Sequence, residues 1–241
     1  MSDEEEVPER LLYNGKLIED VEMPPSANAI SYLEERVKEK LPDDYRNFLL
    51  TCNGGYSQFL FRAKRAPWGI KHYFEMQKLY SLPEPPLRNP YAPNADIEYE
   101  SESLLSVLQE YQKENLIPKT GFLPIATDCG GRGGVSVFLD LRGGSNHVLA
   151  FLPRFHESLN SRSQVTFSPI ASSFTDFWNM LCLSRKLVRM IIKHTVPDDD
   201  IDYIIAMFDS GMPQWRDSYG MQFQRKFGRT NLSSDFFARK S

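Results

Sequence analysis

The chain has few of the residues from which catalytic or metal centres are built. Its 241 residues include only three cysteines, Cys52, Cys129 and Cys182, far apart in sequence. No pair has the spacing of a zinc site or a redox couple, which leaves thiols acting as small core residues in a reducing compartment. The four histidines, His72, His147, His156 and His194, are scattered, and none stands four residues from another histidine or a cysteine. A Gly-x-Ser-x-Gly elbow is absent. No uninterrupted apolar run approaches the roughly 20 residues that cross a bilayer. The first residues are acidic, unlike the basic start of a secretory leader. These absences lead to the expectation of a cytoplasmic, non-catalytic protein without cofactor or metal. Apolar residues make up 41% and charged residues 25% of the chain, ordinary proportions for a globular fold.

The formal net charge is −4, whereas a chain reading a phosphate backbone needs a basic surface. Neither nucleic acid nor membrane is therefore expected as a direct partner. Charge is nonetheless uneven. Residues 1–22 hold eight acids against two bases, and residues 212–241 hold six bases against two acids. Solvated ends are the simpler reading of both runs.

Several helices announce their own boundaries. Ser26 follows Pro24 and Pro25 and is placed to cap a helix running to about Lys40, with Ile30, Leu33 and Val37 as its apolar stripe. Residues 41–55 read LPDDYRNFLLTCNGG. Pro42 suits a first helical position, and Asp43 and Asp44 sit where the helix dipole favours negative charge. Tyr45, Phe48, Leu49 and Cys52 make one face, and Asn53, Gly54 and Gly55 supply a left-handed stop. Residues 10–22 read as strand or loop. A short strand is expected at residues 56–61, a basic loop at 62–72 and a strand at 72–79. Residues 81–95 contain five prolines and form a long loop. Ser101 or Ser103 then opens a helix to about Glu114.

Residues 121–152 carry three apolar, β-branched runs between glycine-rich turns, the pattern of an antiparallel meander. A further short strand is expected at residues 165–167. Ser172 or Ser173 opens a helix carrying Phe174, Phe177, Trp178 and Leu181, drawn as continuing to His194. Residues 198–200, three aspartates, start another helix, stopped by Gly211. The aromatic tail after Pro213 is expected to pack back in part.

Candidate chemistry is thin. The glycines at 130, 131, 133 and 134 lack the Lys-Ser/Thr pair and following helix of a phosphate loop, so a hairpin turn is the reading. Asp128 and Asp140 flank that turn. A carboxylate pair is the functional reading, and turn and strand-end bonding is the favoured one. Acids at 96, 98, 100 and 102 alternate, so an extended segment would turn four carboxylates to one side. With Tyr91 at the tip of the adjoining loop, the candidate partner-binding set is Tyr91, Asp96, Glu98, Tyr99, Glu100 and Glu102.

Three blocks carry a resemblance. They are residues 41–55, then residues 122–151 with FLPIATD, VSVFLDL and VLAF, then residues 170–181, IASSFTDFWNML. In this order they resemble the SUKH superfamily, which includes fungal cell-wall-synthesis regulators and bacterial toxin-immunity proteins. The resemblance covers roughly residues 25–184. It implies an α+β fold, a curved and mainly antiparallel sheet with helices packed on one side, plus a C-terminal helical extension. Residues 1–24 are then an acidic N-terminal segment, and residues 185–241 an extension with an aromatic, basic tail. The function implied is binding and neutralising a cognate protein toxin, for which an acidic face would suit a basic, nuclease-type partner. A regulatory scaffold of the fungal type is the alternative, and an enzyme with an unrecognised site a more distant one.

Overall fold

The computed structural model of the chain describes residues 9–65, 70–85, 103–128, 135–151, 167–196 and 200–232. Eight strands form one sheet in which every strand pairs antiparallel with its sequence neighbour. The sheet opens with a hairpin, β1 (Arg10–Tyr13) and β2 (Lys16–Glu19). Asn14 and Gly15 turn it with φ of 44° and 74°, the paired left-handed conformation that matches strand twist. This Asn-Gly signal resolves residues 10–22 as strands rather than loop.

Helix α1 (Ala27–Val37) begins where expected, its first turn closed by the Ser26 hydroxyl, which accepts from the Ala29 N–H at 3.1 Å. It ends before Lys40 because Lys38 turns left-handed at φ 58°. Helix α2 (Asp43–Cys52) takes Pro42 as its cap, in extended conformation, rather than as its first helical residue.

Strands β3 (Gly55–Arg65) and β4 (Ile70–Leu79) are longer than their sequence suggests. The basic stretch after Phe61 is strand, not loop. From Tyr56 to Ala63 even-numbered residues face out and odd-numbered ones are buried, apart from the half-buried Leu60. Arg62 is thus an outward residue of a half-buried strand. Helix α3 (Leu104–Lys113) is capped by Ser103, whose hydroxyl accepts from the Ser106 N–H. Strands β5 (Phe122–Thr127), β6 (Ser136–Asp140) and β7 (His147–Phe151) form the expected meander. A short 3-10 turn, Arg142–Gly144, links the last two. Strand β8 (Phe167–Ala171) includes Pro169, and Val165 and Thr166 of the strand expected there lie outside the described residues. The sheet curls until β8 comes beside β3.

Helix α4 (Phe174–Met180) does not run on to His194. The chain leaves it extended, and Cys182 makes a two-way backbone bridge to Leu60 of β3 at 2.8 and 3.1 Å. Ser184 then caps a separate helix α5 (Arg185–His194). Helix α6 (Ile201–Gly211) is capped by Asp200, and α7 (Trp215–Phe227) follows. Gly211 is not a left-handed stop. A Cβ there would lie 2.4 Å from Leu183 Cγ and 2.8 Å from Phe59, so glycine lets α6 touch the sheet.

Aromatic side chains fill the interior in three groups. Tyr13, Tyr45, Phe48, Phe174 and Trp178 join the first hairpin to α2 and α4 at ring separations of 5.0–5.9 Å. Tyr111 of α3 meets Phe138 and Phe151 on one face of the meander. Phe208, Trp215 and Phe223 lock α6 to α7, so the tail packs back in part, while Phe236 and Phe237 lie outside the described residues. Among the described residues no helix is long and apolar enough to cross a membrane.

Candidate functional site

The six residues chosen as a partner-binding set, Tyr91, Asp96, Glu98, Tyr99, Glu100 and Glu102, lie outside the described residues, as does the glycine turn at 130–134. The other candidates are placed, and their surroundings are architectural. Asp140 takes two parallel bonds from the Arg142 guanidinium, each 2.9 Å, and a third from the Arg142 N–H. The guanidinium holds its carboxyl below the ordinary carboxylate range. Arg142 also lies 4.3 Å above the Phe122 ring. Asp128 closes the β5–β6 turn, its N–H donating to Val135 at 3.0 Å. Phe122 pairs with Asp140 and Thr127 with Ser136, so Asp128 and Asp140 stand at opposite ends of β5. That is roughly 17 Å of strand, too far for a shared proton. Asp200 caps α6 and pairs with Arg10 at 2.6 Å.

Residues 41–55 also build the fold, through long-range contacts their spacing did not reveal. Asn53 adopts the expected left-handed conformation, at φ 39°. Its amide then reaches two separate segments. Nδ2 donates to the carbonyls of Met23 (2.6 Å) and Leu82 (3.2 Å), and Oδ1 accepts from the Leu82 N–H (2.7 Å). Gly55, at φ 119°, lets β3 approach β2 so closely that a Cβ would sit 2.5 Å from the Glu19 carbonyl. Asp44 serves a helix other than its own. Its Oδ2 accepts from the Thr175 N–H at 2.8 Å and hydroxyl at 2.9 Å, in the first turn of α4. Glu34 of α1 receives Lys40 at 2.6 Å, the Leu41 N–H at 3.1 Å and Arg46 of α2. Burial alone would raise its carboxyl, but these three donors hold it below its ordinary value. Buried Cys52 has its thiol pushed up to about 12 by the same desolvation, which makes it a core residue rather than a nucleophile.

The opening hairpin meets a helix from far along the chain. Helix α6 lies on β2. Lys16 donates to the Ser210 carbonyl at 3.0 Å, and the Tyr203 hydroxyl donates to Glu19 at 2.9 Å. Beyond α6 the outer surface is basic. Helix α5 exposes Arg185, Lys186, Arg189 and Lys193 and contains no acid. Lys226 of α7 caps its end, donating to the Ile192 and Lys193 carbonyls at 2.7 and 2.9 Å, and Arg189 lies over Tyr219 of α7. The sequence reading assigns basic character to residues 62–72 and 212–241 but not to α5. Counting charge helix by helix would have found α5.

Among the described residues are open concavities, of which two adjoin basic side chains. One, of about 690 Å³, runs along α7 past Arg216, Met221 and Arg225. The other, of about 530 Å³, lies between Leu116, Lys119, Phe122 and Arg142. Among the described residues no three His, Cys, Asp or Glu side chains come together to hold a metal ion.

No curated protein matches the chain. Residues 24–180 match the SMI1 / KNR4 family (SUKH-1), a span running from the segment before α1 to the end of α4. It takes in Asn53 and Asp44 with the contacts that join them to Leu82 and Thr175, and leaves β1, β2 and α5–α7 outside. On that match across most of its length, the chain belongs to the SMI1 / KNR4 family (SUKH-1).

Proposed function

We propose that the chain is a non-catalytic binding protein of the immunity type, which holds one cognate protein toxin inactive. The observation that carries this reading is the family match over residues 24–180, since the superfamily includes toxin-immunity proteins. The signature residues lend support from another direction. Asn53, Asp44 and Gly55 are engaged in backbone contacts that build the fold, so the match reports a scaffold, and its use rests on the surfaces the scaffold presents.

The test is co-expression with each neighbouring open reading frame of its host. The expected result is one protein that is toxic alone, harmless with this chain, and recovered with it as a stoichiometric complex. Recovery of many substoichiometric partners with no toxic neighbour would overturn the immunity reading in favour of a scaffold.

A further inference from the structure

We propose that the joined outer face of α5 and α7 is a docking surface for an acidic patch on a partner protein. The proposal rests on the reading of the chain as a binding protein, and it assigns the chemistry of one contact. Local physics does not account for the charge on α5. Arg185 and Lys186 occupy its first turn, where the helix dipole disfavours cations. Arg185, Arg189 and Lys193 follow one another at four-residue spacing, so each repels the next on the same stripe. Among the described residues none of these four bases makes an ion pair. By contrast, Arg10, Arg142, Arg216 and Arg229 are each matched to an aspartate.

The surface is held in place rather than free to adapt. Val188 and Ile192 bury the inner face of α5, and Lys226 and Arg189 tie it to α7. Two large apolar side chains stand among the bases, Met190 at 50% and Met221 at 71% exposure. Methionine among cations is a composition suited to a protein partner, where the thioether packs and the charges select. A membrane would need an apolar stripe to insert, and that stripe of α5 is already spent on the core. A nucleic acid would meet the repulsion of a chain whose net charge is −4.

The experiment uses the full chain and three labelled probes at low salt: a synthetic peptide of repeated Glu-Asp-Leu, a duplex DNA, and vesicles containing phosphatidylserine. The variants are Arg185→Glu/Arg189→Glu/Lys193→Glu and, with the same change in net charge, Lys38→Glu/Lys113→Glu/Lys119→Glu. Thermal melting of both confirms that they fold. If the first variant does not fold, Arg185→Gln/Arg189→Gln/Lys193→Gln replaces it. The expected result is peptide binding that falls by about tenfold or more in the first variant and by much less in the second. Equal losses in both variants, no peptide binding, or tighter binding to DNA or vesicles would each overturn the proposal. So would sedimentation showing a dimer of this chain that the first variant abolishes, since a second copy would then fill the face. The two readings fail separately. A toxin that binds the first variant with unchanged rate and affinity leaves the immunity reading intact and removes this surface. Peptide binding with no toxin found does the reverse.

Discussion

At the scale of single residues, polar groups in this protein are mostly used to join segments distant in sequence, and the exceptions are informative. Tyr45 is fully buried and its hydroxyl has no hydrogen-bond partner among the described residues. An unpaired buried hydroxyl costs free energy that a phenylalanine ring does not. Tyr45→Phe is therefore expected to raise stability by about 1 kcal/mol in urea unfolding, and a loss of that size would show a partner for the hydroxyl. Glu34 makes the opposite case. Its carboxyl sits lower in the folded chain than in the unfolded one, so its stabilisation is present above the unfolded value. That stabilisation is lost as pH falls through the folded one. Glu34→Gln should cost about 2 kcal/mol at neutral pH. The gap between variant and parent should close below about pH 4. A gap that stays constant into acid would mean that the ion pairs with Arg46 and Lys40 are not its source.

At the scale of elements, what was legible in the sequence was what is local. Ser26, Ser103 and Ser173 cap their helices through contacts only three residues long, and such contacts can be read from spacing. The meander was legible because its turns and β-branched runs are consecutive. The break between α4 and α5 was not, because it is made by Leu60, which pairs with Cys182 from far along the chain. The length of β3 was missed for a different reason. Arg62 and its basic neighbours were read as loop composition, although the alternation of buried and exposed residues ran on to Ala63. As for the candidate site, the acidic set lies outside the described residues, and the basic face of α5 falls between the two stretches, 1–22 and 212–241, over which charge is counted. The α2–α4 joint makes a direct prediction. Trp178 is buried among Tyr13, Phe48 and Phe174 and donates its ring N–H to the Tyr13 carbonyl at 3.0 Å. Trp178→Ala should cost roughly 3–5 kcal/mol, and a near-normal melting temperature would contradict this packing.

For the whole molecule, two features govern behaviour: a charge separation and a closure. Reversing Glu98, Glu100 and Glu102 to lysine should slow association with a basic toxin by about tenfold at low salt. An unchanged rate in stopped-flow mixing would remove that segment from the interface. The closure is the seating of α6 on the first hairpin, with Lys16 bonded to a carbonyl 194 residues away. Lys16→Met removes the ammonium and keeps the stem. Hydrogen exchange should then quicken together in residues 10–19 and in α6, by about tenfold or more, as expected for one lost charged hydrogen bond. Acceleration in one segment alone would mean that they are not coupled. The same closure sets a schedule during synthesis. The hairpin leaves the ribosome well before the helix that covers it. At roughly 5–20 residues per second, some 10–40 s pass between them. Through that interval the face of β2 destined for α6 stays open to other chains, so the hairpin is vulnerable for as long as the ribosome takes to reach its cover.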